Sequence, residues 1–260
     1  MVSKIEKIKN DFENFGSLIV AFSGGVDSSV LAYLAKKAVD EKALAITVDS
    51  EIFPKREIEE SKKIAKEIGI NHRVIDFSLL NEPRFIENNS KRCYYCKKEI
   101  FSSLRKFSSQ EEYNKVVEGT NTSEIKGHRP GYEAIKELNI YSPFVEYGVK
   151  KEEVRELAAK LGLAVYDKPS NACLASRISY EEKITSKKLD MVEKAEDLLY
   201  DMDFRQFRVR KHGDLARIEL PRDKRDLDKD QMNYLESNMK KIGFKYITLD
   251  LTGYRSGSMN

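Results

Sequence analysis

Five apolar residues, Leu18-Ile19-Val20-Ala21-Phe22, run straight into Ser23-Gly24-Gly25-Val26-Asp27-Ser28-Ser29, and then into a segment whose Val30, Leu31, Leu34, Ala35 and Ala38 recur at helical spacing. A short buried strand, a glycine turn and an amphipathic helix in succession open a parallel sheet, because the helix must carry the chain back before the next strand can pair. The cycle repeats. Ala43 to Val48 predicts a second strand, Lys55 to Ile68 a helix carrying Ile58, Ile64, Ala65 and Ile68, and Arg73 to Phe77 a third strand. A fourth, Lys115 to Glu118, ends at Gly119-Thr120-Asn121. Such alternation predicts an α/β domain built on a doubly wound parallel sheet.

A helix from Lys150 to Leu161, stopped by Gly162, precedes the turn residues Asp167-Lys168-Pro169-Ser170-Asn171. The boundary is placed there, giving domains 1–167 and 168–260. Past it, Leu189, Val192, Ala195, Leu199 and Met202 mark a helix, Arg205 to Arg210 and Leu215 to Leu220 alternate as strands, Asp226 to Ile242 is a charged helix and Tyr246 to Leu251 a last strand. These elements predict a smaller C-terminal α+β domain.

Composition narrows the partners. Forty-six Lys and Arg against 43 Asp and Glu are too evenly mixed for the one-signed footprint of an obligate nucleic-acid binder. No apolar run reaches the length of a bilayer crossing, and charges interrupt Met1 to Lys9 before a secretory core can form, so a cytoplasmic protein without a membrane partner is expected. Three cysteines, an odd count, argue against a disulfide framework.

In the glycine loop, Gly24 and Gly25 let the backbone approach an anion, and the following helix offers unpaired N–H groups and its positive end. Ser23 and Ser28 add hydroxyl donors, and Asp27 can hold Mg2+ on a pyrophosphate. The plainer alternative is a tight turn with Asp27 capping the helix. The loop has neither the Lys of a Walker A motif nor the spacing of a dinucleotide fold. It resembles the PP-loop of ATP pyrophosphatases, which adenylate a substrate and release pyrophosphate. That resemblance implies ATP and Mg2+ as cofactors and adenine at the end of the second strand, near Val48, Asp49 and Ser50.

Cys93-Tyr94-Tyr95-Cys96 presents two thiols to one ion or cluster, and Cys173 lies far downstream. Structural zinc wants a fourth ligand, for which His72, His128 and His212 have no suitable spacing. A thiol–disulfide pair and inert buried thiols are the alternatives. In the C-terminal hairpin Gln206, Arg208 and Arg210 share one face, and Arg217 and Glu219 oppose Ala216, Ile218 and Leu220. By pattern alone this cationic face reads as solvated. Glu196, at the margin of its helix's apolar stripe, is either a rim residue or an inward ligand. The tail from Gly253 to Asn260 reads either as a frayed end or as an anion-binding loop.

Taken with Arg129-Pro130-Gly131, Lys168 to Arg177, Arg208-Val209-Arg210, Ala216 to Glu219 and Gly253-Tyr254-Arg255, these residues resemble the LarE family nearly end to end. Its members are ATP-dependent sulfur-insertion enzymes of nickel-pincer nucleotide synthesis. The resemblance implies adenylation of a carboxylate of pyridinium-3,5-biscarboxylic acid mononucleotide, then attack by sulfur to give a thiocarboxylate and AMP. It implies that Gly119 and Arg129 join the nucleotide-binding set, that Cys173 is the sulfur-bearing cysteine, and that Ser176, Arg177, Arg208, Arg210 and Arg255 bind substrate. Glu196 and Glu219 are implied to hold a metal near Cys173.

Single-cysteine members sacrifice that residue. Cys93 and Cys96 place this chain with the branch understood to carry a 4Fe-4S cluster on three cysteines, Cys93, Cys96 and Cys173, which implies catalytic turnover and weakens the metal role of the two glutamates. A homo-oligomer is expected, and the sulfide donor is not written in the sequence. The alternatives are a tRNA thiolation enzyme of the same superfamily, a nucleotide-binding iron–sulfur sensor, and NAD synthase-like amide formation, which would give no use to three cysteines.

Overall fold

The computed structural model describes residues 1–125, 129–169 and 172–255. His128, Ser170, Asn171 and Ser256 to Asn260, all invoked above, lie outside them. The chain divides into two compact units, Met1–Leu79 with Cys93–Ser170, and Leu80–Arg92 with Asn171–Asn260.

In the first unit, α1 (Val2–Phe15) leads to β1 (Leu18–Ala21), α2 (Val26–Val39), β2 (Ala43–Asp49), α3 (Lys55–Ile68) and β3 (Asn71–Asp76). The fold is α/β. Strand β4 (Lys115–Val117) completes a four-stranded sheet in the order β3-β2-β1-β4, with every pairing parallel. The order reverses direction at β1, so the crevice at the carboxyl ends of β1 and β4 is the switch point at which such sheets bind ligands. Leu18, Ile19 and Val20 are buried on both faces of the sheet, and Val30, Leu31, Leu34 and Ala35 of α2 pack in the same core.

Two long helices carry no sequence expectation. Helix α1 buries Ile8 and Phe12, four residues apart, among exposed charges. After the single turn α4 (Pro83–Ile86), helix α5 (Arg92–Gln110) begins at the cysteine pair. The remaining helices are α6 (Pro130–Glu137), α7 (Pro143–Glu146) and α8 (Lys151–Lys160).

In the second unit, α9 (Ser186–Asp201) precedes the antiparallel pair β5 (Arg208–His212) and β6 (Leu215–Glu219). Helix α10 (Lys229–Ile242) returns the chain to β7 (Tyr246–Leu249), which pairs parallel with β6. The charged helix starts later than Asp226 because Asp228 caps it: its carboxylate accepts from Gln231 N–H at 2.8 Å, and the Gln231 side chain accepts from Asp228 N–H at 3.1 Å. The single boundary expected after Asp167 leaves out Leu80–Arg92. That segment joins the second unit through Asn88, whose side-chain amide donates to Ser179 O at 2.7 Å and Glu182 O at 3.0 Å.

Candidate active site

The glycine loop occupies the switch point. Gly24 has φ +66°, and a Cβ there would lie 3.0 Å from Ser61 Cα on α3, so only glycine fits both the turn and the packing. Ser28 Oγ accepts from Ser23 N–H at 3.2 Å and donates to Gly25 O at 3.1 Å, drawing the loop over the first turn of α2. Opposite, a Cβ at Gly119 after β4 would stand 3.1 Å from Ser28 N and 3.0 Å from Asp27 Cβ. The two strand-end loops therefore meet over the amino terminus of α2, where backbone N–H groups and the helix dipole favour a phosphate.

Around Asp27 the charges alternate. Its carboxylate takes an ion pair from Lys151, the first residue of α8, and a hydrogen bond from Asn121 Nδ2 at 3.1 Å. The same Asn121 amide donates to Glu124 at 3.0 Å. Glu124 is exposed as a residue, yet desolvation of its carboxyl by the surrounding protein, and then the charge of Asp27, raises its pKa above the ordinary value. Two oxygen-bearing carboxylates joined by one amide form a donor set that suits Mg2+. Lys168 closes the other side, with Nζ 3.2 Å from Gly24 O and ion pairs to Glu57 and Glu60 at 2.9 and 2.8 Å.

Lys151, Lys168 and Glu124 carried no expected role. Lys151 lies 124 residues from Asp27, and no local pattern announces that pairing. Val48 and Asp49, the residues implied to border adenine, end β2, and the Asp49 carboxylate is paired with Lys55 at 2.6 Å. Arg129 stands exposed at the N-cap of α6.

Cys93 and Cys96 lie in the opening turns of α5, one exposed and the other half-buried. A helix amino terminus stabilises thiolates, the form that ligates iron. Gly131 rests against this segment: a Cβ on it would lie 3.4 Å from Cys93 O and 3.3 Å from Lys97 Cγ. Lys97 in turn reaches Glu118 at 3.9 Å, a buried carboxylate that also accepts from Ser142 Oγ and, at 2.6 Å, from Thr120 Oγ1.

The second unit corrects the reading of the hairpin. Its cationic face is not solvated: Arg208 and Arg210 are each 6% exposed. Arg177, also implied to bind substrate, is 1% exposed. It donates to Glu196 at 2.9 Å, to Ala172 O at 2.8 Å and to Cys173 O at 3.0 Å. Ser176 Oγ also donates to Cys173 O, at 2.7 Å, so Cys173 sits at the head of a fixed Leu174–Arg177 turn.

Glu196 is wholly buried. Burial raises its pKa, but the charge and hydrogen bonds of Arg177, with Arg208 and the Val209 N–H, pull it below its ordinary value. Glu219, also buried, bonds Arg210 at 3.1 Å and Arg217 at 3.0 Å. Both glutamates implied as metal ligands are thus engaged by guanidinium groups. Among the described residues, no three His, Cys, Asp or Glu side chains form a metal-binding group. His72 and His212 bond to Thr47 and Ser179.

Burial and the neighbouring charge of Arg177 press the Arg208 pKa down, with Glu196 partly offsetting them. The Arg208 guanidinium lies 5.1 Å above the Tyr254 ring. Gly253 brings that tyrosine back to the sheet at φ +78°, in a position where a Cβ would strike Leu220 O at 2.6 Å. Crowded guanidinium groups of this kind are relieved by an anion. Arg255, next along, is exposed.

The NAD synthase family model matches residues 3–211. The chain is 32% identical over 245 residues to pyridinium-3,5-bisthiocarboxylic acid mononucleotide synthase of Lactiplantibacillus plantarum, covering 93% of this chain and 88% of that protein. It is 37% identical over 260 residues to the uncharacterized protein slr1717 of Synechocystis, covering 99% and 97%. It is 30% identical over 258 residues to the uncharacterized protein MJ0830 of Methanocaldococcus jannaschii, covering 98% of each. Among the described residues no helix is long and apolar enough to cross a membrane.

Proposed function

Because the chain belongs to the family that the NAD synthase model describes and that includes pyridinium-3,5-bisthiocarboxylic acid mononucleotide synthase, we propose that it is an ATP-dependent sulfurtransferase acting on a carboxylate of a pyridinium dicarboxylate mononucleotide. The observation that carries the reading is Cys173, set at the head of a turn by a buried arginine in a chain that also holds a phosphate loop. Amide formation would give no use to such a thiol.

The loop from Ser23 to Ser28 holds the ATP phosphates, Asp27 and Glu124 hold Mg2+, and Val48, Asp49 and Gly119 border the nucleotide. A substrate carboxylate oxygen attacks the α-phosphorus, the α–β phosphoanhydride bond breaks, and pyrophosphate leaves. A carboxylate is a poor electrophile until its oxygen becomes part of such a leaving group. Sulfur then adds to the carbonyl carbon of the acyl-adenylate, and AMP departs with the C–O electron pair. Arg208, Arg210 and Arg255 bind the substrate phosphate, and Arg177 with Ser176 fixes Cys173.

A 4Fe-4S cluster would take Cys93, Cys96 and Cys173 as its thiolate ligands and, when bound, would supply hydrosulfide at its remaining iron, so that Cys173 would not be consumed. Anaerobic purification with iron and acid-labile sulfide assays on each Cys→Ala variant tests this. Loss of iron on changing any one of the three is expected, with pyrophosphate release persisting in Cys173→Ala. Iron that survives all three changes, or is absent from the native protein, leaves only sacrifice of the Cys173 thiol.

A further inference from the structure

Thr47 of β2, Ser61 of α3 and His72 of β3 form a polar cluster that the nucleotide site does not use. Thr47 is 3% exposed and Ser61 fully buried. The β1–β2 ladder makes a bond from Phe22 N–H to Ile46 O at 2.8 Å. The carbonyl of Phe22, immediately before the phosphate loop, accepts instead from the Thr47 hydroxyl at 2.9 Å. Ser61 Oγ lies 3.2 Å from the same hydroxyl, and its own proton goes to Ile58 O at 2.7 Å. Ser61 is also the residue against which Gly24 packs.

Thr47 has one proton to give. With that proton on Phe22 O, the contact at 2.8 Å between Thr47 Oγ1 and His72 Nε2 requires the imidazole to donate. The His72 ring also meets the Phe22 ring edge-on, with centroids 5.6 Å apart and planes at 77°. The cluster thereby touches the loop at both shoulders, Phe22 on one side and Gly24 on the other.

We infer that His72, acting through Thr47, is a positioning residue that fixes the exit of β1 so that the loop amides point at the ATP phosphates. The inference rests on the nucleotide reading above. Backbone donors contribute fully only when held close to the productive geometry, so a loosened exit weakens phosphate binding before it alters the chemistry.

The test uses the full-length protein, with ATP affinity by calorimetry, KM for ATP and kcat for pyrophosphate release, and melting temperature. Thr47→Val keeps the shape and removes the hydroxyl, whereas His72→Phe keeps a ring beside Phe22 and removes the donor. Each is expected to raise the Kd and KM for ATP about tenfold, the effect of losing one buried hydrogen bond, while kcat changes much less. Thr47→Ser is expected to restore affinity. Wild-type ATP affinity in Thr47→Val and His72→Phe overturns the inference, as does a Thr47→Ser protein as impaired as Thr47→Val. Should Thr47→Val not fold, His72→Phe and Thr47→Ser decide alone. A native protein that binds no ATP overturns the nucleotide reading itself, a distinguishable result.

Discussion

The glycine loop after β1 and the arginine cluster of the second unit both gather groups that favour negative charge, but by opposite means. The loop uses glycines, hydroxyls and backbone amides, and the charges near it stay partly exposed: the side chains of Asp27 and Lys151 keep 17% and 19% of their surface. The cluster uses whole charges removed from water, with Arg177 and Glu196 at 2% and 1%. A buried ion pair returns little net stability when intact, yet removing one partner leaves the other uncompensated in a poor solvent for charge. The loop should therefore fail in function while the protein stays folded, and the cluster should fail in folding first.

The sharpest way to break that contrast is Glu196→Ala. It strands the buried Arg177 guanidinium and is expected to cost about 3–5 kcal/mol in urea unfolding. Asp27→Ala, which removes a partly exposed partner, is expected to cost less than about 1 kcal/mol. Equal losses in the two variants would show that the regions do not differ in this respect. Gly24→Ala falls between them. A side chain at φ +66° and 3.0 Å from the α3 backbone is expected to cost about 1–3 kcal/mol and to lower ATP affinity as well, so this glycine couples stability to binding.

The same contrast explains what the sequence could reveal. Strand β1, the glycine loop and helix α2 are legible because their signal is local: an apolar run, two glycines and a periodic apolar stripe within Leu18–Ala38. The burial of Arg208 and Arg210 is not, because it depends on Glu196 from helix α9 and Glu219 from the paired strand. Without those partners an alternating Arg face is indistinguishable from a wet one. Helix α1 is not legible, since Ile8 and Phe12 are flanked by Lys7, Lys9 and Glu13, which dilute a stripe only two residues strong at its centre. The roles of Lys151 and Lys168 are not legible either, because an ion pair between distant residues leaves no spacing to read.

Acid offers the gentlest probe of the buried cluster. Arg177 and its neighbours hold the Glu196 carboxyl below its ordinary value of 4.5, so the folded state binds its proton less readily than the unfolded chain does. For a group shifted in that direction, the stability it contributes is complete above the unfolded value and is lost as the pH falls through the lower, folded one. The gap in unfolding free energy between the native protein and Glu196→Gln should accordingly be level near pH 7 and shrink below about pH 4.5. The shrinkage should be smaller than the Glu196→Ala loss, because a protonated carboxyl still accepts hydrogen bonds from Arg177 and the Val209 amide. Urea midpoints for both proteins across that range measure it. A gap that stays constant into acid would mean that Glu196 contributes by shape and hydrogen bonding alone, and that its charge is not what keeps the arginines buried.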